Sequence, residues 1–490
     1  MSSRNRLVVV SNRLPVTMER NNDGLVVHPS SGGLVSALLP IFNNTGGVWI
    51  GWPGIDHDPE IQTALRGECA PGCSFEPVFL NAAEMLHFYN GCCNEIIWPL
   101  FHDLQSRCNF NATHWTVYHD VNEKFADAVD RSTGRNDFIW VHDYHLMMLA
   151  DCLRARGNRS RLAYFHHIPF PPPDVFEKLP WREEILRGLM QFNEIGFQTD
   201  RDRRNFVHSL RRCLGKIRVH RRGTKFLVAA DRRHIEIATL PVGIDYNRLA
   251  SDALMPQVSV QVQEIRQTLG DTRMLLGVDR LDFTKGIPQR LMAFRTLLES
   301  RPELHGRITL VQLVVPSREQ VTAYREYKRD VERLVSEING RFGRPGWCPV
   351  NYLHRQIPPV ELLALYCSAD VALVTPLKDG MNLVAKEFCA ARNDEKGVLV
   401  LSEFAGAAAE LNSGALLVNP YDAEGVARAL RKALEMPEEE QRQRMREMRK
   451  ILRSNDVFKW CKSICGYSGG AGPRSHFVSL QQARGIAQAV

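Results

Sequence analysis

Several absences bound what this chain of 490 residues can be. No apolar run approaches the ~20 residues that span a bilayer. A secretory core is missing as well: the first apolar stretch, Leu7–Val10, is too short for one and is followed at once by Asn12 and Arg13. The 12 cysteines are scattered. Cys69/Cys73, Cys92/Cys93 and Cys461/Cys465 each lack a second Cys or His pair nearby in sequence to complete a tetrahedral zinc site. Reduced, mostly buried thiols are expected, and with them a soluble, cytoplasmic protein. Compositional bias is absent too: 44% of residues are hydrophobic, 24% charged, and 62 Lys+Arg face 55 Asp+Glu for a net +7. That balance excludes disordered, collagen-like and coiled-coil classes, and the length suits about two to four domains.

The charge surplus is local. Arg201–Lys225 carries ten Lys/Arg and a single acid, Asp202. Such a stretch binds phosphates in nucleic-acid proteins, but Phe206 is its only aromatic. A solvated helix face and loop is the expected reading, with neither nucleic acid nor membrane among the partners.

What the sequence does have is alternation. Short apolar runs, Leu7–Val10, Phe138–Val141, Leu162–Phe165 and Ile235–Leu240, then Met274–Val278, Ile308–Val315, Val371–Val374, Val398–Leu401 and Ala415–Val418, are separated by amphipathic stretches such as Pro359–Cys367 and Ala423–Leu434. Near-continuous apolar runs suit parallel strands buried on both faces, and strand–helix alternation predicts α/β, doubly wound sheets. Pro241 and Gly243 punctuate the middle. The expected plan is two Rossmann-like domains facing a central cleft, 1–243 and 244–455, with a tail at 456–490 that either packs back on the first domain or does not. The tail reads as a loop at 466–472. Ligands of such a chain bind at the carboxyl ends of the strands.

Three segments have the strand–loop–helix form that presents backbone N–H groups to phosphate. Ser30-Ser31-Gly32-Gly33-Leu34 precedes a helix, where paired glycines permit close approach of a diphosphate or simply make a turn. Leu377-Lys378-Asp379-Gly380-Met381-Asn382-Leu383-Val384-Ala385-Lys386-Glu387 follows the Val371–Val374 run. Gly380 allows the tight turn, Glu387 suits vicinal ribose hydroxyls, and Asp379 either receives sugar hydroxyls or caps the helix. In Asp279–Gly286, Arg280 and Lys285 place two cations at a strand's end, fit to neutralise a departing nucleoside diphosphate or to form a surface ion-pair cluster. Asp56-His57-Asp58, Asp200-Arg201-Asp202 and His142-Asp143-Tyr144-His145 match metal patterns formally, but read as caps, loops and core residues; no metal and no cofactor is expected.

Taken in order, Val10–Arg13, Ser31–Leu34, Trp49–Trp52, Phe88–Asn90, Trp98–His102, His142–His145, His167–Pro171, Gly196–Thr199, Asp279–Gly286, Pro316–Arg318, Ile338–Gly343, Asp379–Glu387 and Ser402–Ala407 closely resemble the trehalose-6-phosphate synthases. These are UDP-glucose-dependent retaining glucosyltransferases of the two-domain GT-B fold, metal-independent, and often tetrameric, so a homo-oligomer, dimer or tetramer, is expected. The resemblance covers about residues 6–460. It implies that Gly32 and Gly33 approach the donor diphosphate, that Arg280 and Lys285 hold its charge, and that Phe342 lies by the nucleobase. Gly380 to Glu387 would grip phosphate and ribose, and Asp379 the donor glucose. Arg13, Tyr89, Trp98 and Arg318 would form a glucose 6-phosphate pocket, with Asp143 on the acceptor sugar and His167 near the donor glucose at the reaction centre. Two arginines and a tyrosine suit a phosphate dianion.

The implied reaction is transfer of glucose from a nucleotide-glucose donor to glucose 6-phosphate. Glucosylglycerol-phosphate synthesis from ADP-glucose and glycerol 3-phosphate, or a non-catalytic regulatory role, are the alternatives. His166 stands where many relatives carry Leu. No D-x-D-x-T phosphatase motif follows the synthase region.

Overall fold

The computed structural model describes residues 6–21, 24–30, 32–58, 60–230, 233–318 and 321–465. Ser31 and the expected loop at 466–472 lie outside the described residues. Among the described residues, seventeen strands run in chain order. The first eleven are β1 (Leu7–Arg13), β2 (Val16–Asn21), β3 (Gly24–Pro29), β4 (Gly47–Trp52), β5 (Cys73–Pro77), β6 (Phe138–His142), β7 (Arg161–His166), β8 (Glu194–Phe197), β9 (Arg218–Arg222), β10 (Lys225–Ala230) and β11 (Arg233–Thr239). The rest are β12 (Arg273–Arg280), β13 (Ile308–Val315), β14 (Val350–His354), β15 (Val371–Val374), β16 (Val398–Ser402) and β17 (Leu416–Val418).

They build two large sheets. The first has the order β5-β4-β1-β6-β7-β8-β11-β10-β9, parallel as far as β11, with β10 and β9 added antiparallel at the edge. The second is the all-parallel β14-β13-β12-β15-β16-β17. β2 and β3 form a separate hairpin. Central strands are apolar on both sides because helices cover both faces: Val8, Val9 and Val10 are fully buried, with Val8 in register with Val48 on one side and Ile139 on the other. Trp49 follows the same rule, and its indole N–H, which burial would otherwise orphan, donates to Ser11 Oγ at 2.8 Å.

The chain passes between sheets twice, and the two passages touch. Gly243 lies against Asn455–Val457 so closely that a Cβ would collide with backbone, and Val457 N–H donates to the Ile244 carbonyl at 3.1 Å. The Glu438–Ser454 helix belongs with the second sheet, where Met445 and Met448 are buried. The Val457–Cys465 helix lies on the first: Trp460 meets Trp140 at 4.7 Å and Phe165 edge-on at 5.0 Å. The basic stretch forms the Asp200–Leu214 helix and the exposed edge strand β9, where unpaired backbone and surface arginines go together. Among the described residues no helix is long and apolar enough to cross a membrane.

Candidate active site

Each sheet has one place where neighbouring strands lead their chains in opposite directions. In the first it lies between β1 and β6, in the second between β12 and β15. Loops diverge there and leave a crevice at the strands' carboxyl ends. Arg13 closes β1 and Asp143 follows β6; Arg280 closes β12, Lys285 follows it, and Leu377–Asn382 follows β15. The two crevices face each other. His167 Nδ1 is 3.0 Å from Met381 Sδ, Gly33 lies where a Cβ would be 3.4 Å from Leu383 Cδ1, and the Arg318 guanidinium stands 4.7 Å over the Trp98 ring.

Around Tyr89 the charge is concentrated. The Arg13 guanidinium lies over Trp52 (4.6 Å) and Tyr89 (5.5 Å), and Arg280 joins Arg318 over Trp98 at 5.9 Å. Burial would raise the Tyr89 phenol, but Arg318, Arg13 and Arg280 overcome it and hold the phenol below its usual range. Arg318 is fixed from behind: Nη1 donates to Asp282 Oδ2 at 3.2 Å and also meets the Tyr324 hydroxyl. Its φ of 52° is a left-handed conformation that non-glycine residues rarely hold, as is φ 73° at Asp143 and 57° at Asn382. Such positions cluster where the surrounding structure over-determines them, and these three share the cleft. Nearby, Trp98 Nε1, Asn94 Nδ2 and Asp143 Oδ1 are buried with no partner among the described residues. Burial raises the Asp143 carboxyl to about 7, against the backbone N–H groups and Arg280 that favour its charge.

Across the cleft, Asp379 is tied into its own loop. Lys285 Nζ and Asn382 Nδ2 (3.2 Å) donate to Oδ2, and the Met381 N–H donates to Oδ1 at 3.2 Å. Burial alone would raise this carboxyl, but Lys285 keeps it below the ordinary range. The helix cap is Asn382, whose Oδ1 accepts from Ala385 N–H at 3.3 Å. The Leu383 and Val384 amides thus remain as the open positive end of the Leu383–Ala391 helix. Gly380 passes so close to the His167 carbonyl and Ile168, and Gly406 to Gly380, that side chains fit at neither place. Glu387, half-buried, accepts from the Tyr366 hydroxyl at 2.9 Å, and burial raises its carboxyl. His167 Nε2 meets His142 Nδ1 at 3.0 Å, and burial drives both imidazoles to the neutral form, His142 to about 3.

The structure therefore brings Arg13, Tyr89, Trp98, Asp143, His167, Arg280, Lys285, Arg318, Gly33 and Asp379–Val384 to one cleft, with Glu387 one turn further along the helix. Two sequence expectations need correction. Phe342 packs against His305 (5.4 Å between rings), which precedes β13, so it lies at the amino end of the second sheet. β13 has eight residues, about 25 Å of strand, between that end and Arg318. Lys386 turns the other way: its fully buried ammonium donates to the Val242 carbonyl at 2.6 Å and pairs with Glu410. Missed from sequence were Asp282, Tyr324 and the buried Arg290–Asp279 pair, which with Gln312 and Thr375 braces the loop below Lys285. Both aspartates lie in the Asp279–Gly286 segment, but nothing local pairs them with residues 11 and 36 positions away. Of the metal-like patterns, Asp58 pairs with Arg20, Asp202 Oδ1 accepts from Phe170 N–H at 3.0 Å, and His145 stacks on Tyr89.

Comparison with known proteins agrees with this arrangement. The model of glycosyltransferase family 20 matches residues 5–467. The chain is 42% identical over 480 residues to a trehalose-6-phosphate synthase of Mycolicibacterium paratuberculosis, covering 95% of this chain and 96% of that one. It is also 42% identical over 467 residues to a bifunctional trehalose-6-phosphate synthase/phosphatase of Thermoproteus tenax, covering 93% of this chain but only 62% of that longer protein. Among solved structures, an α,α-trehalose-phosphate synthase (UDP-forming) from Burkholderia xenovorans in complex with glucose-6-phosphate superposes with a TM-score of 0.87 at 34% identity, covering 94% of this chain and 99% of that one. The paired Rossmann-like sheets are thus the GT-B glycosyltransferase fold, and the chain belongs to glycosyltransferase family 20.

Proposed function

We propose that this protein transfers glucose from UDP-glucose to glucose 6-phosphate with retention, giving α,α-trehalose 6-phosphate and UDP. The observation that carries the reading is the convergence of Arg13 from the first sheet, and of Arg280 and Arg318 from the second, on Tyr89 and Trp98, with Lys285 and the Leu383 helix end on the same wall as Arg280. Arg13 and Arg318 around Tyr89 suit a phosphate dianion on an acceptor, and Arg280, Lys285 and the helix end suit a leaving diphosphate. The solved Burkholderia relative is named as UDP-forming and holds glucose-6-phosphate, which favours this acceptor over glycerol 3-phosphate.

In this reading Arg13, Tyr89, Trp98 and Arg318 bind the acceptor phosphate, and the partnerless Oδ1 of Asp143 receives an acceptor hydroxyl. Arg280 and Lys285, with the Leu383 and Val384 amides, take up charge on the diphosphate as the glycosidic bond lengthens. Gly32 and Gly33 cover it from the opposite side, and Glu387 holds the ribose. Asp379, neutralised by Lys285, orients Lys285 and lies beside the sugar. His167 is neutral and held by His142, so it serves as a fixed polar wall and not as a cation. Catalysis is then positioning and cation placement for a front-face substitution in which the leaving diphosphate takes the acceptor proton, with no metal required. The base belongs with the loop 355–358 at the carboxyl end of β14, in place of Phe342.

The division at Gly243 into an acceptor-binding domain (1–243) and a donor-binding domain (244–455), with the described residues 456–465 of the tail returning to the first, is supported by the two sheets and the seat of Trp460. A reducing, cytoplasmic setting is supported by the unpaired state of the 12 cysteines. The test is nucleoside diphosphate release with UDP-, ADP- or GDP-glucose against glucose 6-phosphate, glycerol 3-phosphate or no acceptor. Release that requires glucose 6-phosphate and is greatest with UDP-glucose is expected; release with glycerol 3-phosphate alone overturns the acceptor, and silence with every pair overturns the activity.

A further inference from the structure

Among the described residues, one cluster of ligand-type side chains lies outside the cleft. His119 and Glu123 lie four residues apart on the Ala112–Ser132 helix and so share a face. The Leu149–Ala155 helix packs across that face and brings Cys152 to it. One donor atom from each residue, an imidazole nitrogen, a carboxylate oxygen and the thiol sulfur, lies within 4.8 Å of the other two. The cysteine is buried and the other two are half-buried, so the cluster is open to solvent on one side.

We propose that His119, Glu123 and Cys152 bind a divalent transition-metal ion, with Zn²⁺ the best match, and that the ion clips the two helices together. With metal–ligand bonds of about 2.0–2.3 Å, a tetrahedral zinc site holds its donor atoms about 3.5 Å apart, within reach of small side-chain rotations here. One sulfur, one nitrogen and one oxygen donor suit borderline Zn²⁺ better than the hard Mg²⁺ or Ca²⁺. The fourth position falls to water.

The surroundings favour a cation. Asp127 and Asp130 lie on the same long helix as Glu123, and Arg156 is their counter-charge, bonding Glu123 Oε2 and Asp127 and lying 3.7 Å from Asp130. When an ion takes Glu123, Arg156 keeps its two aspartates. Burial and the neighbouring Glu123, which shares a hydrogen bond with the thiol, push the Cys152 thiol well above its ordinary range. Without metal the sulfur is therefore protonated, and binding forms the metal–sulfur bond with release of that proton to solvent. The ion stands apart from the sugar-transfer cleft and takes no part in the reaction. Its structural consequence is nevertheless directed there, because the Leu149–Ala155 helix begins just past the Asp143–Leu146 turn.

The test uses the full-length, chelator-treated protein titrated with Co²⁺ alone, and then Zn²⁺ alone. The expected result is a near-ultraviolet thiolate-to-Co²⁺ charge-transfer band with intense visible bands of tetrahedral Co²⁺, saturating at one equivalent. Cys152→Ser abolishes the ultraviolet band, and His119→Ala, at a half-exposed position where folding is not in question, weakens Co²⁺ binding roughly tenfold or more. Zn²⁺ raises the unfolding midpoint of the wild type and leaves that of Cys152→Ser unmoved. Absence of the charge-transfer band in the wild type overturns the proposal. A band that survives both substitutions overturns it equally, since it would report some other cysteine.

Discussion

At the scale of single residues, the cleft separates groups that bind from groups that hold them. Arg318, proposed above to bind the acceptor phosphate, is itself held, because Asp282 and Tyr324 fix the guanidinium that faces Trp98. Replacing Arg318 by Ala removes charge-assisted bonds of about 1.5–3 kcal/mol each, so kcat/KM for glucose 6-phosphate is expected to fall by about 10–150-fold per bond lost. The inhibition constant of UDP should change far less; equal losses would move Arg318 to the donor side. Asp143 carries a second expectation. Its carboxyl titrates at about 7 in the folded protein against 3.8 ordinarily, raised by burial. A folded-state pKa above the unfolded one means that stability from this group is fully present below about 4 and is lost as pH rises through 7. Unliganded wild type should therefore lose stability relative to Asp143→Asn as pH is raised through that window, in urea unfolding at a series of pH values. If the acceptor needs the ionised carboxylate, wild-type activity falls on the acid side of about 7, and that limb is absent from the residual activity of Asp143→Asn.

At the scale of elements, the tightest constraint is the donor loop between β15 and the Leu383–Ala391 helix. Gly380 is pressed on the His167 carbonyl and Gly406 on Gly380, so three segments meet without room for a methyl group. Gly380→Ala must push the loop from His167, displacing Met381 and the helix end together. A loss of kcat of about 100-fold or more is expected from a misplacement on the order of 1 Å, with the far-ultraviolet dichroism unchanged. Near-normal turnover would mean that the loop's position against His167 is immaterial. These elements also show how much was legible in the sequence. The buried parallel strands β1, β6, β7, β12, β13, β15 and β16 were readable because burial on both faces leaves an uninterrupted apolar run; β17 was readable from its apolar run although Leu417 is exposed at the sheet's edge. β14 escaped because, as an edge strand, it reads Val-Asn-Tyr-Leu-His. β8 escaped because Glu194 is buried in it, with Arg161 and Lys225 as partners. The wide Met85–Ile97 π-helix, which carries Tyr89, left no signal, since side-chain spacing does not announce an i→i+5 bond pattern. Within the cleft, the residues that the sequence singled out at strand ends are ones the fold brings together. Phe342 was misplaced because a motif does not say which end of the sheet it reaches. Lys386 was misplaced because one step along a helix turns a side chain by about 100° from Glu387.

For the whole molecule, the relation between the two sheets is set where the chain crosses between them and where the cleft closes. The crossings coincide at Gly243 and Asn455–Val457, so that region is both connection and pivot. On the cleft side, Lys378 pairs with Asp103, Arg107 lies 4.5 Å over the Phe283 ring, and His167 meets Met381. Trp460 links the two ends, packed on Trp140 and Phe165 and 6.2 Å from the His167 ring, so a shift of the returning helix reaches the reaction centre directly. Gly243→Ala forces the crossings apart while touching no substrate. Because the proposed acceptor and donor sites each draw groups from both walls, a change of wall spacing weakens the grip on both substrates. The expected result is a fall in kcat together with raised KM for both glucose 6-phosphate and the nucleotide sugar, unlike the one-sided loss at Arg318. Unchanged kinetics in Gly243→Ala, with the fold intact, would show that the crossing tolerates the methyl group and that the cleft contacts alone set the spacing of the walls.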